Sequence, residues 1–156
     1  MTQAALKHDT QDIVIDEVFP HAPEKIWRAL TTGELIGRWL MQPSGFEPVV
    51  GNRFTYKTTP AGQWDGTIHC RVLEVVPNER FVYAWKGGHD SIASGYGAPL
   101  DTVVTFTLAR VANGTRLRLV HSGFVIPRNE LAHRNMGNGW KKCMGSIEAI
   151  AGGKPN

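Results

Sequence analysis

Cysteine is scarce in this 156-residue chain: Cys70 and Cys143 are the two it has. Two thiols cannot make a disulfide framework, and no His/Cys/carboxylate cluster has metal-ligand spacing, so no metal and no other cofactor is expected. Long apolar runs are missing too, since none approaches the ~18 residues that a membrane span needs. The start, Met1 to Asp12, is polar and lacks the apolar stretch of a signal peptide, which makes a cytoplasmic address the expectation. Charge of either sign is thin: 17 Lys+Arg against 14 Asp+Glu leave a net +3. That excess is spread along the chain, which argues against a nucleic-acid partner. No repeat, low-complexity tract or linker divides the sequence. One domain is expected over 12–151, with a flexible segment at 1–11 and a tail at 152–156.

What is present is a globular share of hydrophobic residues, 42%, in an informative order. Asp12 to Phe19 is a β-branched run and reads as a first strand. Pro20 stops it, and Pro23 with Glu24 suits a helix's first turn before Ile26, Trp27 and Leu30. Thr31 to Glu34 has capping-box spacing, which predicts a second short helix burying Leu35, Ile36, Trp39 and Leu40. Strands are then expected at 46–50 and 53–59 around Gly51-Asn52, and at 67–76 and 80–86 around Pro77-Asn78-Glu79. Two more follow at 102–110 and 115–122 around Asn113-Gly114. The sets Phe81/Tyr83/Trp85, Val104/Phe106/Leu108 and Leu117/Leu119/His121 alternate cleanly and should share one face. Ile68 to Val76 is apolar at both parities, as a bulge or cover on both faces would require.

A last helix carries Trp140, Cys143, Met144, Ile147 and Ile150 on one side, with Lys141, Lys142 and Glu148 on the other. Gly137 and Gly139 each cost about 1 kcal/mol in a helix interior, so a kink or a late start is expected near them. An antiparallel sheet with one apolar face must cover it, and this helix is the long element available. The expected fold is α+β, a curved sheet gripping a helix.

The order β-α-α-β6-α resembles the helix-grip fold of the START/birch-pollen-allergen superfamily, SRPBCC. Particular stretches narrow the resemblance: Phe19-Pro-His-Ala-Pro-Glu-Lys-Ile-Trp-Arg-Ala-Leu30, Trp39, Gly51-Asn-Arg-Phe54, Arg71-Val-Leu-Glu-Val-Val-Pro77, Phe81-Val-Tyr-Ala-Trp85, Thr102-Val-Val-Thr-Phe106, His121-Ser-Gly-Phe124 and Gly139-Trp140. In order, they are similar to the homologues of the C-terminal domain of the activator of the 90-kDa heat-shock-protein ATPase. The resemblance spans about residues 12 to 151 and implies a cavity between sheet and helix. Some members of the superfamily bind lipids, hormones or polyketides, and a few catalyse cyclisation or aromatisation. A domain ahead of this one, as in the eukaryotic cochaperone, is not expected, because the fold uses nearly the whole chain.

Several side chains are candidates for chemistry, each with a plain structural alternative. His121 should face the helix, either as a cavity acid/base or ligand anchor, or as a neutral histidine bonded within the core. His69 and Arg71 share a parity: facing inward they would orient a ligand, and after a bulge they would be solvated. Trp85, Phe106, Trp140 and Met144 are expected on the facing surfaces of sheet and helix, as cavity lining or as core packing. Trp39 and Trp64 stand near element ends and suit an entrance, although Trp64 suits an exposed turn equally. The segment from Gly87 to Leu100 is long for a hairpin loop and reads as a lid bearing Ile92 and Tyr96, or as a surface loop.

No complete catalytic constellation can be assembled from spacing. The leading expectation is therefore binding of a small hydrophobic or aromatic molecule by Trp39, His69, Arg71, Trp85, Tyr96, Phe106, His121, Trp140 and Met144. A cyclase/aromatase-like or hydrolase-like enzyme using His121, with His69, is the alternative. The family resemblance implies a third reading, a heat-shock chaperone as protein partner, which rests on analogy. A monomer and a homodimer are both compatible with the sequence.

Overall fold

The computed structural model describes residues 9–92 and 97–153. Strand β1 (Asp9–Phe19) leads into helices α1 (Pro23–Thr31) and α2 (Gly33–Trp39). Five strands follow: β2 (Arg53–Lys57), β3 (Thr67–Val76), β4 (Arg80–Gly87), β5 (Leu100–Val111) and β6 (Gly114–Ile126). Helix α3 (Glu130–Ala151) completes the order. The six strands form one antiparallel sheet in the order β1-β6-β5-β4-β3-β2. Its concave face carries the three alternating sets predicted from sequence, and α3 packs on it against β6, β1 and both short helices. This is the α+β helix grip that the resemblance implied.

The expected strand at 46–50 is absent, so five strands rather than six follow the helices. Pro48 has no N–H to give a ladder, and Val49 and Val50 are exposed. Phe46 instead turns inward, edge-on to Phe54 at 5.0 Å and to Phe81 at 6.0 Å. Ser44 pairs with Thr55 in its place, covering the middle of the β2 edge.

The capping box is not formed either. Thr31 ends α1, and its hydroxyl donates to the Trp27 carbonyl at 2.7 Å. Thr32 precedes α2 without a side-chain cap.

In β3 the register slips between Val72 and Glu74, leaving Leu73 as the extra residue of a bulge. Ile68, Cys70 and Val72 face inward before it, and Val75 opposite Phe81 packs on the core after it. The bulge explains why both parities of this strand are apolar.

Helix α3 starts earlier than its glycines predicted. Asn129, 3% exposed, accepts the Val125 N–H with Oδ1 at 3.0 Å and donates Nδ2 to the Pro99 carbonyl at 3.1 Å. The chain leaving β6 is thereby tied to the approach to β5, and Ala132 is buried one turn later. At the other end, His21 meets Glu148 at 2.8 Å. The β5–β6 turn brings Gly114 (φ 144°) so close to the chain after β1 that a Cβ there would collide with the Phe19 carbonyl.

Candidate functional site

His121 is fully buried on β6, opposite Val104 of β5 and Ile13 of β1. Its parity is set by Leu117 and Leu119, so it enters the concave face beneath α3. There the Trp140 indole Nε1–H donates to His121 Nδ1 at 3.0 Å. An indole can only donate, so Nδ1 holds the lone pair and Nε2 the proton. Nε2–H then donates to Thr102 Oγ1 at 2.8 Å, and the Thr102 hydroxyl donates to the Trp85 carbonyl at 2.9 Å. Burial, with a smaller push from His133, takes the imidazole down to about 3, so it is neutral at physiological pH. Both ring nitrogens are engaged. The relay runs from α3 through β6 and β5 to β4, each buried group paired.

Around this relay the aromatic side chains form a second layer. Trp39 lies edge-on to Phe106 at 5.9 Å and donates its Nε1–H to the Ala29 carbonyl at 2.8 Å. Phe106 meets Trp140 at 6.1 Å, and Met144 is fully buried. These side chains, expected as lining, fill space behind the wall of the cavity.

The cavity itself is a cleft of about 280 Å³ on the far side of Trp140. Trp85 and Ile68 form its sheet wall; Met136, Gly139, Trp140 and Cys143 form its helix wall. Leu40, Met41 and Thr58 close one side, and Asn135 stands at the rim. The apolar character is almost unbroken. Gly139 is exposed at the cleft, and a Cβ there would meet nothing within 4 Å, as at Gly137 and Gly145. Burial pushes the Cys143 thiol up to about 11, which keeps it protonated and unreactive at neutral pH. No group of three or more His, Cys, Asp or Glu able to hold a metal occurs among the described residues.

Of the candidates from sequence, Trp85 and Trp140 line the cleft, while Trp39, Phe106, His121 and Met144 stand behind it. His69 and Arg71 do not reach it. They precede the β3 bulge on the parity opposite Ile68, Cys70 and Val72, and both are exposed on the convex face. Trp64 is buried and donates its indole N–H to the Thr67 carbonyl at 3.0 Å, so neither an entrance nor an exposed turn describes it. In the 87–100 segment Ile92 joins the core, and Tyr96 lies outside the described residues. Met136 and Gly139 were not among the candidates from sequence, although they continue the Trp140/Cys143 stripe one turn back at helical spacing. Leu40, Met41 and Thr58 carry no such signal.

The family profile described as Activator of Hsp90 ATPase homolog 1-like protein matches residues 20–152. The chain belongs to this family. It is 35% identical to protein MLL2253 from Mesorhizobium loti, with a TM-score of 0.79 over 94% of this chain and 100% of that one. The Aha1 dimer from Colwellia psychrerythraea is 25% identical, with a TM-score of 0.69 over 93% of this chain and 99% of that one. DynU16, from the dynemicin biosynthetic locus, shares the fold at 21% identity and a TM-score of 0.69, covering 92% of this chain and 48% of its own. No curated protein matches the chain. Within the family's helix grip, no helix among the described residues is long and apolar enough to cross a membrane.

Proposed function

We propose that this member of the family binds a small hydrophobic or aromatic molecule in the cleft between α3 and the β3–β4 part of the sheet. One observation carries the reading: a cleft of about 280 Å³, walled by two tryptophans and three sulfur-bearing side chains, remains between the sheet and the helix. Chains seldom leave apolar walls bare, because burying them is the main favourable term of folding. The enzyme alternative is disfavoured, since the lone pair of His121 Nδ1 is occupied by the Trp140 indole and its pKa lies far below neutrality.

Gly139→Leu separates binding from folding. The added side chain enters the cleft and replaces a poor helix former, so the melting temperature should hold or rise. Native mass spectrometry of gently purified protein should show mass above 17.2 kDa that denaturation removes, and the variant should lose it. Calorimetric titration with naphthalene is the companion measurement. A wild type that neither carries nor takes up a molecule, or a variant that binds as well as wild type, would reject the reading.

A further inference from the structure

Strand parity gathers charge of one sign on the convex face of the sheet. The register places seven Lys and Arg side chains there against three carboxylates, Asp16, Glu74 and Asp101, in a chain whose net charge is +3. Each of these carboxylates already has a cation. Arg80 reaches Glu74 at 2.8 Å, Lys86 reaches Asp101 at 3.8 Å, and Arg116 holds both oxygens of Asp16, at 2.7 and 2.6 Å. Arg118 stands opposite Asp16 in the register, and Asp65, on the loop before β3, reaches Lys57 at 3.7 Å. That leaves Arg53 and Arg71. Both are exposed, directly opposite each other on β2 and β3, and among the described residues neither makes an ion pair or a side-chain hydrogen bond. Like charges facing each other across a strand pair are destabilising, so the sheet bears a cost that an incoming anion would remove. Ala84 and Val103 continue the row of the two arginines across β4 and β5. Their side chains are short, so a partner can lie close to the sheet.

We propose that the β2–β3 side of the convex face docks an acidic stretch of another protein, whose carboxylates pair with Arg53 and Arg71. The Arg116–Asp16 fork shows, on the same face, the planar pairing that a guanidinium makes with a carboxylate. A second copy of this chain does not fit, because two such faces would repel each other. Nucleic acid is a poorer match. No Phe, Tyr or Trp of the six strands points to this face, so bases have nothing to stack on. A broad sheet also does not enter a major groove, which admits a helix or a two-stranded ribbon. A flat bilayer would touch an outward-curving surface over little of its area. The proposal is independent of the cleft, which opens on the other side of the sheet.

The test is fluorescence anisotropy of a labelled oligo-glutamate peptide at low salt, beside oligo-dT of equal charge and phosphatidylserine vesicles. The double variant Arg53→Gln/Arg71→Gln should weaken peptide binding by roughly three- to tenfold, the worth of two exposed ion pairs. Arg28→Gln/Arg134→Gln removes the same charge from exposed positions on α1 and α3 and should leave binding unchanged. All four positions are exposed, so both variants should fold as wild type does. Equal losses in the two variants would reduce the effect to general attraction by net charge and overturn the proposal. A wild type that does not bind the peptide would overturn it as well. Tighter binding of oligo-dT or of the vesicles would assign the face to phosphate and do the same.

Discussion

The two ends of the concave face are built differently. Beneath α3, on the β5–β6–β1 side, Phe106, Leu119, Phe124, His121 and Met144 are fully buried, and the polar members are bonded from strand to helix. On the β4–β3–β2 side Tyr56, Ile68, Val72, Phe81 and Tyr83 are as deeply buried. The cover there is made of Trp27, Phe46, the Leu40–Met41 segment and the edge of α3, and a cleft remains beside Trp85. Scale accounts for the difference. Six strands at about 4.8 Å spacing span roughly 24 Å, whereas one helix covers about 10–12 Å. A single long helix can close half of such a sheet, and the rest depends on short elements. One half is sealed by the long helix, and the other keeps a cleft of about 280 Å³ among its shorter covers.

The strongest challenge to this contrast is to hollow out the closed half. Phe106→Ala should cost about 4 kcal/mol in urea unfolding, as for other aromatic truncations in tight cores. A loss below about 1 kcal/mol would mean that this side yields as readily as the cleft. Acid tests the same half through His121. Its folded pKa, about 3, lies below the unfolded value, so the unfolded state binds the proton first as pH falls. Its stabilising effect is complete above about 6.5 and is lost progressively as pH falls from there toward 3, by about 1.4 kcal/mol per pH unit once below the upper bound. Unfolding measured at pH 7, 6 and 5 should show this slope in wild type and its loss in His121→Gln; equal slopes would remove His121 from the account. The mildest test addresses the open half. Gly139→Ala adds a methyl to empty space and improves helix propensity, so it should stabilise by about 0.5–1 kcal/mol in the same assay. A destabilised variant would show that the cleft wall is tighter than it looks.

Much of the fold was legible in the residues, and the exceptions have local causes. The alternation of Phe81/Tyr83/Trp85 and Leu117/Leu119/His121 named the inner face because a strand has period two. Phe46 misled because its ring packs into the core from a loop, where hydrophobicity carries no period. His69 and Arg71 were ambiguous because one extra residue, Leu73, reverses parity along β3. The candidate site was legible in part: Trp85 and Trp140 were named, while Met41 and Thr58 come from segments that meet α3 only in three dimensions.

Periodicity and turn chemistry, both local, determined the strands, the last helix and the identity of the aromatic face. They also placed His121 inside. Whether His121 was a base or a bonded core group was decided by the distance from Trp140 Nε1, a contact across 19 residues that no local pattern encodes. The tertiary structure likewise decided that one helix leaves half of a six-stranded sheet to lesser cover. Covering a surface depends on relative widths, and widths exist only once the elements are assembled.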